Sequence, residues 1–353
     1  MLLVRTMLHT KNLLAQLLLL GGCFSIMSAA LATDTIHTFY FDFRSQFVER
    51  FDHSLDAYAK GHGIELEKYD GKTKSNLQLS QIYSVISSRD PLLINLIDPN
   101  LAQDVIDHVK LYGNRIVFFN RKPSQQVLDS YDNVFYVGTN GEFSGQIQFE
   151  VIEDYLEYEK DHDRNKNGYL DVVFLKGEKN SPDADGRTGR ILKLFAERNI
   201  KINVISKNHD NWMAQDAFDD LKSQIAKVGA GNIDMIIANN DVMATGAVKF
   251  LNTIGYNTGE STSVDNYIPV FGVDGIPEAI DLIRQKKMTG TIFADFSALA
   301  KVASILSTES STNEEELTRK IWFKIKNKSV MIPFVKFSDF KDYSLKTYPV
   351  ASY

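Results

Sequence analysis

Cysteine is almost missing from this chain: one residue, Cys23, in 353. No internal disulfide can form, so the fold must be held by its core. A basic excess is missing too. Lysine and arginine number 39 against 45 aspartates and glutamates, a net charge of −6, which removes the basic face that nucleic-acid binding requires. There is no glycine loop to cradle phosphate, no Gly-x-Ser-x-Gly elbow and no His/Cys cluster with zinc spacing. The one strongly apolar stretch, LLAQLLLL near the N-terminus, is broken by Gln16 and is short for a membrane span.

What is present reads as an exported α/β protein. Arg5 and Lys11 lead the apolar run, and Ala30 to Ala32 close it with a small-x-small pattern. That is the layout of a secretory signal peptide, residues 1–32, with cleavage expected after Ala32. LGGC around Cys23 also resembles a lipoprotein cleavage site, the second possibility. The segment holds two bases and no acid, so the mature chain has 39 − 2 = 37 bases against 45 acids, a net −8. A cysteine-free exported chain of this size, 44% hydrophobic, suits about two α/β domains in a bacterial periplasm.

Beyond residue 35, apolar strand-like runs alternate with amphipathic stretches. IHTFYFDF, IELEKYD, PLLINLID, RIVFFN and VFYVGT read as strands in the first half; YLDVVFLKG, KINVISKN, IDMIIANN and YIPVFGVDG do so in the second. Between them, GRTGRILKLFAERN, AQDAFDDLKSQIAKVG, DVMATGAVKFLNTIG and IPEAIDLIRQKK read as helices. The pattern predicts two doubly wound, mostly parallel sheets covered on both faces. In such sheets ligands bind beyond the carboxyl ends of the strands. That rule points to Asn120 after RIVFFN, Asp183 and Arg187 after VVFLKG, Asn240 after IIAN and Asp274 after VFGV.

One stretch has its own logic. DRNKNGYLD puts oxygen donors at Asp163, Asn165, Asn167, the carbonyl of Tyr169 and Asp171, with Gly168 at the sixth place. A calcium loop needs oxygens at positions 1, 3, 5, 7 and 9 and a glycine at 6. Position 12 is Phe174 rather than glutamate, so closing the shell needs a distant acid. The alternative is a polar turn built on the Asn167-Gly168 dipeptide.

INLIDPN, VFFNRKPSQQVLDSYDNVFYVGTN, DVVFLKGEKNSPDADGRTGR, IIANNDVMATGAVKFL, VFGVDGIPEAIDLI and MTGTI follow one another in an order that resembles the galactose/glucose-binding proteins of bacterial ABC sugar transport and chemotaxis. The resemblance covers most of the mature chain. It implies a type I periplasmic binding protein: two Rossmann-like lobes on a three-segment hinge, with one monosaccharide between them. The lobes would be 33–139 with 294–331, and 140–293 with 332–353, the chain crossing near Thr139, Ala294 and Met331. It implies sugar contacts from Asn120, Asp183, Arg187, Asn240 and Asp274, with Phe47 and Trp212 stacking on the ring from opposite lobes. It implies a structural calcium ion, with Asp234 as the distant acid where the family commonly has glutamate. Its partners would be an ABC permease or a chemoreceptor at the inner membrane, and the protein would be a monomer, not an enzyme.

Each of these residues has a plainer role open to it. Phe47 could be core, Trp212 a loop anchor, Asp183 a helix cap, Arg187 a solvated helix residue, and Asn240 and Asp274 turn formers. Three positions depart from the family: Ser45 stands where it has aspartate, Ser181 where it has histidine and Ala294 where it has asparagine. The ligand could therefore be a different or modified sugar, sensed without transport. A sugar hydrolase using Asp183 and Asp274 is the remaining alternative, since glycoside cleavage also uses paired carboxylates.

Overall fold

The structure, a computed structural model, describes residues 34–259, 265–338 and 341. The expected signal segment with Cys23, the middle of the 257–267 insertion and most of the aromatic tail lie outside the described residues.

The first half alternates as expected: β1 (Thr35–Tyr40), α1 (Gln46–His62), β2 (Glu65–Asp70), α2 (Ser75–Val85), β3 (Leu92–Ile94), α3 (Ala102–Val109), β4 (Ile116–Phe119), α4 (Gln125–Asp129) and β5 (Val134–Gly138). Then come α5 (Gly141–Tyr158), β6 (Leu170–Lys176), α6 (Pro182–Glu197), β7 (Ile202–His209), α7 (Ala214–Val228), β8 (Met235–Ala238), α8 (Asp241–Thr253), β9 (Val270–Phe271), α9 (Pro277–Arg284) and β10 (Gly290–Ala294). The chain finishes with α10 (Phe296–Thr308), α11 (Glu314–Ile321), β11 (Ile325–Lys326), β12 (Ser329–Met331) and β13 (Phe334–Ser338).

Two sheets result. One has seven strands in the order β11-β12-β5-β4-β3-β1-β2, and the other six in the order β13-β10-β9-β8-β6-β7. Pairing is parallel except where β11 meets β12 and β13 meets β10. The central strands β3, β4, β5, β6 and β8 are buried along their whole length, as a sheet with helices on both faces requires. The edge strands β2 and β7 carry the charges and amides, ELEKYD and INVISKNH, which discourages pairing with another chain.

The chain leaves the first sheet after β5, returns after β10 and leaves again between β12 and β13. Helix boundaries follow local chemistry. Ser124, Asn140, Ser181, Asn240 and Asp295 each accept a backbone N–H at a helix start. Gly63, at φ 68°, ends α1 in the left-handed conformation that glycine adopts freely. One apolar cluster joins the lobes: it includes Phe51, Phe119 and Leu299 on the first sheet's side, Phe174, Phe195 and Phe271 on the second's, with Ala294, Ile332 and Phe334 between.

Candidate functional site

Of the residues singled out at strand ends, Asp183, Arg187 and Asp274 interact with one another at the boundary between the lobes. Asn120 follows β4 with φ 64°, and its carbonyl accepts the Tyr136 hydroxyl at 2.9 Å. From the other lobe, Asp183 and Arg187 project from the first two turns of α6. Their burial sets the electrostatics. Desolvation raises the Asp183 carboxyl, and the Arg187 and Arg121 guanidiniums oppose the rise. Asp274, just beyond β9, is pushed up to about 6 by burial; Arg187 and Arg50 pull it down and Asp183 pushes it further up. Arg187 is thus the cation shared by two desolvated carboxyls.

Arg187 is only 6% exposed and is held from behind. Its Nε donates to the Ser144 hydroxyl at 3.1 Å, and its Nη1 to the carbonyl of Asn239. Its guanidinium lies 5.8 Å from the centre of the Trp212 ring and 5.9 Å from that of Phe334, within the range of cation–π attraction. The reading of Arg187 as a solvated helix residue is therefore wrong for this fold.

Trp212 sits in the turn between β7 and α7 with φ 64°. Its ring lies against Gly177: a Cβ there would meet a ring atom at 2.1 Å. Phe47, near the start of α1, is half-buried, parallel to Phe51 with ring centres 6.4 Å apart and tilted on Phe296 at 5.3 Å. It packs against the core, as its plainer reading expected. Asn240 does act as a helix cap, its Oδ1 accepting Met243 N–H at 2.9 Å, and its amide nitrogen is not used by that cap.

One capping expectation changes. Asp183 does not cap α6; Ser181 does, accepting Ala184 N–H at 3.4 Å. The serine that replaces the family's histidine is therefore engaged with its own helix. Ser45 precedes α1 without capping it. Ala294 ends β10, 6% exposed. It lines, with Arg50, Pro277 and Phe296, an open groove of about 580 Å³ on the flank of the cleft. Neither Asp183 nor Arg187 borders that groove.

Sequence reasoning missed Arg50, Arg121, Tyr136 and Ser144. Arg50 Nη1 crosses the lobe boundary to the Asp274 carbonyl at 2.8 Å, its guanidinium 4.5 Å from the Phe296 ring centre. Arg121 pairs with Glu178 at 3.1 Å across the same boundary. Both carried a signal: Arg50 lies three residues after Phe47 on one helical face, and Arg121 directly follows Asn120.

The loop 163–171 is shaped by its own side chains. Asp163 accepts the N–H groups of Asn167 (3.1 Å) and Gly168 (2.8 Å), Asn165 that of Asn167 (3.0 Å), and Asn167 that of Tyr169 (2.8 Å). Asp171 accepts the Asn165 and Asn167 amides, each at 2.8 Å. Asp234, at the start of β8, accepts the N–H groups of Arg164 (2.8 Å) and Asp171 (2.7 Å). Burial raises Asp234, and Asp171 and Asp163 add to the rise, so three carboxyls share one small region. Among the described residues no three acidic, histidine or cysteine side chains could hold a metal ion. A cation here would also need the two amide oxygens and the Tyr169 carbonyl. With those included, the donor set is all oxygen and fits calcium.

The residues from 38 to 307 match the model of the periplasmic binding protein domain family. The chain belongs to the periplasmic binding protein family. As a member it binds a solute rather than transforming one, which sets aside the hydrolase reading. The binding protein is 30% identical over 311 residues, 87% of its length and 91% of the relative's, to the D-galactose/methyl-galactoside binding periplasmic protein of Haemophilus influenzae. It is 24% identical to a putative rhizopine-binding protein of Rhizobium meliloti, covering 88% of this chain and 95% of that one. Among solved structures it superimposes on a solute-binding protein of Actinobacillus succinogenes with bound D-allose (TM-score 0.69, 19% identity, 87% and 98% coverage). A Bacillus halodurans solute-binding protein with bound myo-inositol matches similarly (TM-score 0.68, 20% identity, 87% and 94% coverage). These neighbours share the two-lobed α/β fold.

Proposed function

We propose that this protein captures a monosaccharide in the periplasm and presents the closed, sugar-filled form to an ABC permease or a chemoreceptor. The observation that carries the reading is the Asp183–Arg187–Asp274 group at the lobe boundary. Two desolvated carboxyls around one anchored guanidinium suit hydroxyl groups, which donate to carboxylates and accept from arginine. Phe47 and Trp212 offer apolar faces to the sugar ring, one from each lobe. Asn120 and Asn240 add amides at strand ends. The sugar meets both lobes only when they close, so binding favours the closed state. The working form is a monomer exported by the N-terminal segment.

The similarity to a galactose/methyl-galactoside binding protein supports a hexose of the galactose/glucose type. Ser45, Ser181 and Ala294 weaken that choice. Ser181 is engaged with its helix, and Ala294 has no polar group. Each lost partner of a buried hydroxyl costs about 1–3 kcal/mol. The reading specific to this chain is a sugar lacking or blocking a hydroxyl on the side of Ser45 and Ala294. Isothermal titration with glucose, galactose and 2-deoxy, 6-deoxy and O-methyl sugars tests it. Submicromolar binding of both unmodified hexoses would refute the altered specificity; binding of no sugar in the panel would refute the sugar itself.

Calcium is the proposed resident ion of the 163–171 loop, held by Asp163, Asn165, Asn167, the Tyr169 carbonyl, Asp171 and Asp234. It would tie the loop to β8 and has no part in contacting the sugar.

A further inference from the structure

Asp274 sits in a backbone conformation that needs support. Its φ is 112°, outside the regions that side-chain-bearing residues ordinarily occupy, and Gly275 follows at 62°. Outliers of this kind persist only where the surroundings over-determine them, and they gather at ligand sites.

Asp241 supplies those surroundings. It is the first residue of α8, next to the capping Asn240, and it is 0% exposed. An aspartate here would ordinarily serve its own helix, whose N-terminus favours negative charge. Its hydrogen bonds go elsewhere. Its N–H donates to the Val273 carbonyl at 2.7 Å. Its Oδ2 accepts the Ile276 N–H at 2.9 Å, and its Oδ1 accepts the Thr291 hydroxyl at 2.7 Å. The first two bonds bracket Asp274 and Gly275 from both sides. The third reaches β10, where the Ile292 carbonyl takes the Asp274 N–H at 2.8 Å. From the other lobe, Arg50 holds the Asp274 carbonyl. None of these bonds uses the Asp274 carboxyl.

The neighbouring glycines make room for this arrangement. A Cβ on Gly272 would meet Asp241 Oδ1 at 2.0 Å, and one on Gly275 would meet the Phe293 ring at 2.5 Å. The acid is costly to keep here. Burial raises Asp241 well above the ordinary carboxylate range and the Asp274 carboxyl adds to the rise, against the Thr291 hydroxyl and the Ile276 and Gly275 N–H groups. An ionised carboxyl is two acceptors and no donor, which is what an N–H on one oxygen and a hydroxyl on the other require.

We propose that Asp241 is a positioning residue for sugar recognition, clamping the 273–276 turn so that the Asp274 carboxyl stands in the cleft with Arg187. The proposal rests on Asp274 being a sugar contact. Asp241 acts through the turn, not by touching the sugar.

The test is a double-mutant cycle. Galactose is titrated calorimetrically into the parent protein, Asp241→Ala, Asp274→Asn and the double variant. Asp241→Ala strands the buried Ile276 N–H and should cost about tenfold or more in affinity. In the Asp274→Asn background the same change should cost less than about threefold, because the two residues act as one unit. Combined with Trp212→Ala, on a separate loop, it should keep its full effect. Asp241→Asn can keep Ile276 on its oxygen while Thr291 turns to accept its amide, so its affinity should stay within about threefold of the parent. If Asp241→Ala does not fold, Thr291→Val takes its place in the cycle, with a loss of about fivefold. Unchanged affinity in the Asp241→Ala protein overturns the proposal. So do losses that multiply with Asp274→Asn as they do with Trp212→Ala. Amide exchange without sugar reads the clamp directly: in Asp241→Ala the Asp274 and Ile276 amides should exchange about tenfold faster while those of β8 keep their protection. Protection unchanged at those two amides, or lost equally in β8, overturns the clamp. A parent protein that binds no galactose refutes the galactose reading, and the exchange measurement still decides whether Asp241 holds the turn.

Discussion

The 163–171 loop and the cleft between the lobes both gather carboxylates, yet they treat them in opposite ways. In the loop, Asp163, Asp171 and Asp234 accept backbone or amide N–H groups at 2.6–3.1 Å. In the cleft, the cations near Asp183 and Asp274 are arginines, and burial raises both carboxyls. The loop has its shape built in, with donors already fixing each oxygen. In the reading proposed above, the cleft keeps acceptor capacity for sugar hydroxyls. A preorganised scaffold and a recognition surface can thus use the same residue type, the difference being which donors the fold supplies.

The sharpest way to break this contrast is to remove the one cation the cleft carboxyls share. Arg187→Ala leaves Asp183 and Asp274 desolvated against each other, and truncating one partner of a buried charge pair costs about 2–5 kcal/mol. Sugar affinity should fall at least about thirtyfold by calorimetry, with the midpoint of thermal unfolding lowered as well. The loop answers a different reagent. A bound ion at 100 times its dissociation constant adds about 2.7 kcal/mol, so calcium should raise the melting temperature by about 5 °C. Asp171→Asn should remove that rise while sugar affinity at pH 7 changes less than about threefold.

The aromatic walls come next. Trp212→Ala exposes the Gly177 backbone and removes a stacking face, worth about 1.5–3 kcal/mol of apolar burial; titration should show a loss of at least tenfold. Phe47→Ala should cost the sugar less and the fold more, because its ring packs on Phe51 and Phe296. The smallest effect concerns pH. Sugar hydroxyls donating to Asp274 favour its ionised form, which in the free protein is reached near 6. Affinity should be full above pH 6 and decline by up to tenfold per unit below it, and Asp274→Asn should flatten that limb.

Much of this was legible from sequence because the relevant signals are local. Strand runs such as IVFF and MIIA are buried on both faces, and the strand-end rule pointed from such runs to Asn120, Asn240 and Asp274. The loop announced itself by spacing. What escaped was long-range. Arg50 meets Asp274 across 224 residues, and no local pattern encodes that partner. Ser181 looked available for a hydroxyl because its capping role depends on where α6 starts, and Asp183 was as good a cap on paper. The helix α10 and the antiparallel strand β13 were not read either. The run FSALAKVASILST is nearly apolar all round, so it lacks the amphipathic period that marks a surface helix.

The three passages of the chain between the sheets have a consequence for biogenesis. The first sheet contains strands from residues 35–138 and from 325–331, and the second closes only with β13. Neither lobe is complete until the last tenth of the polypeptide has been delivered. A chain threaded through an export channel from its N-terminus therefore exposes an unfinished sheet edge at β5 for nearly two hundred residues. Truncation close to the C-terminus should leave both lobes unsealed, and a single nick at one passage should leave the halves joined by the other two.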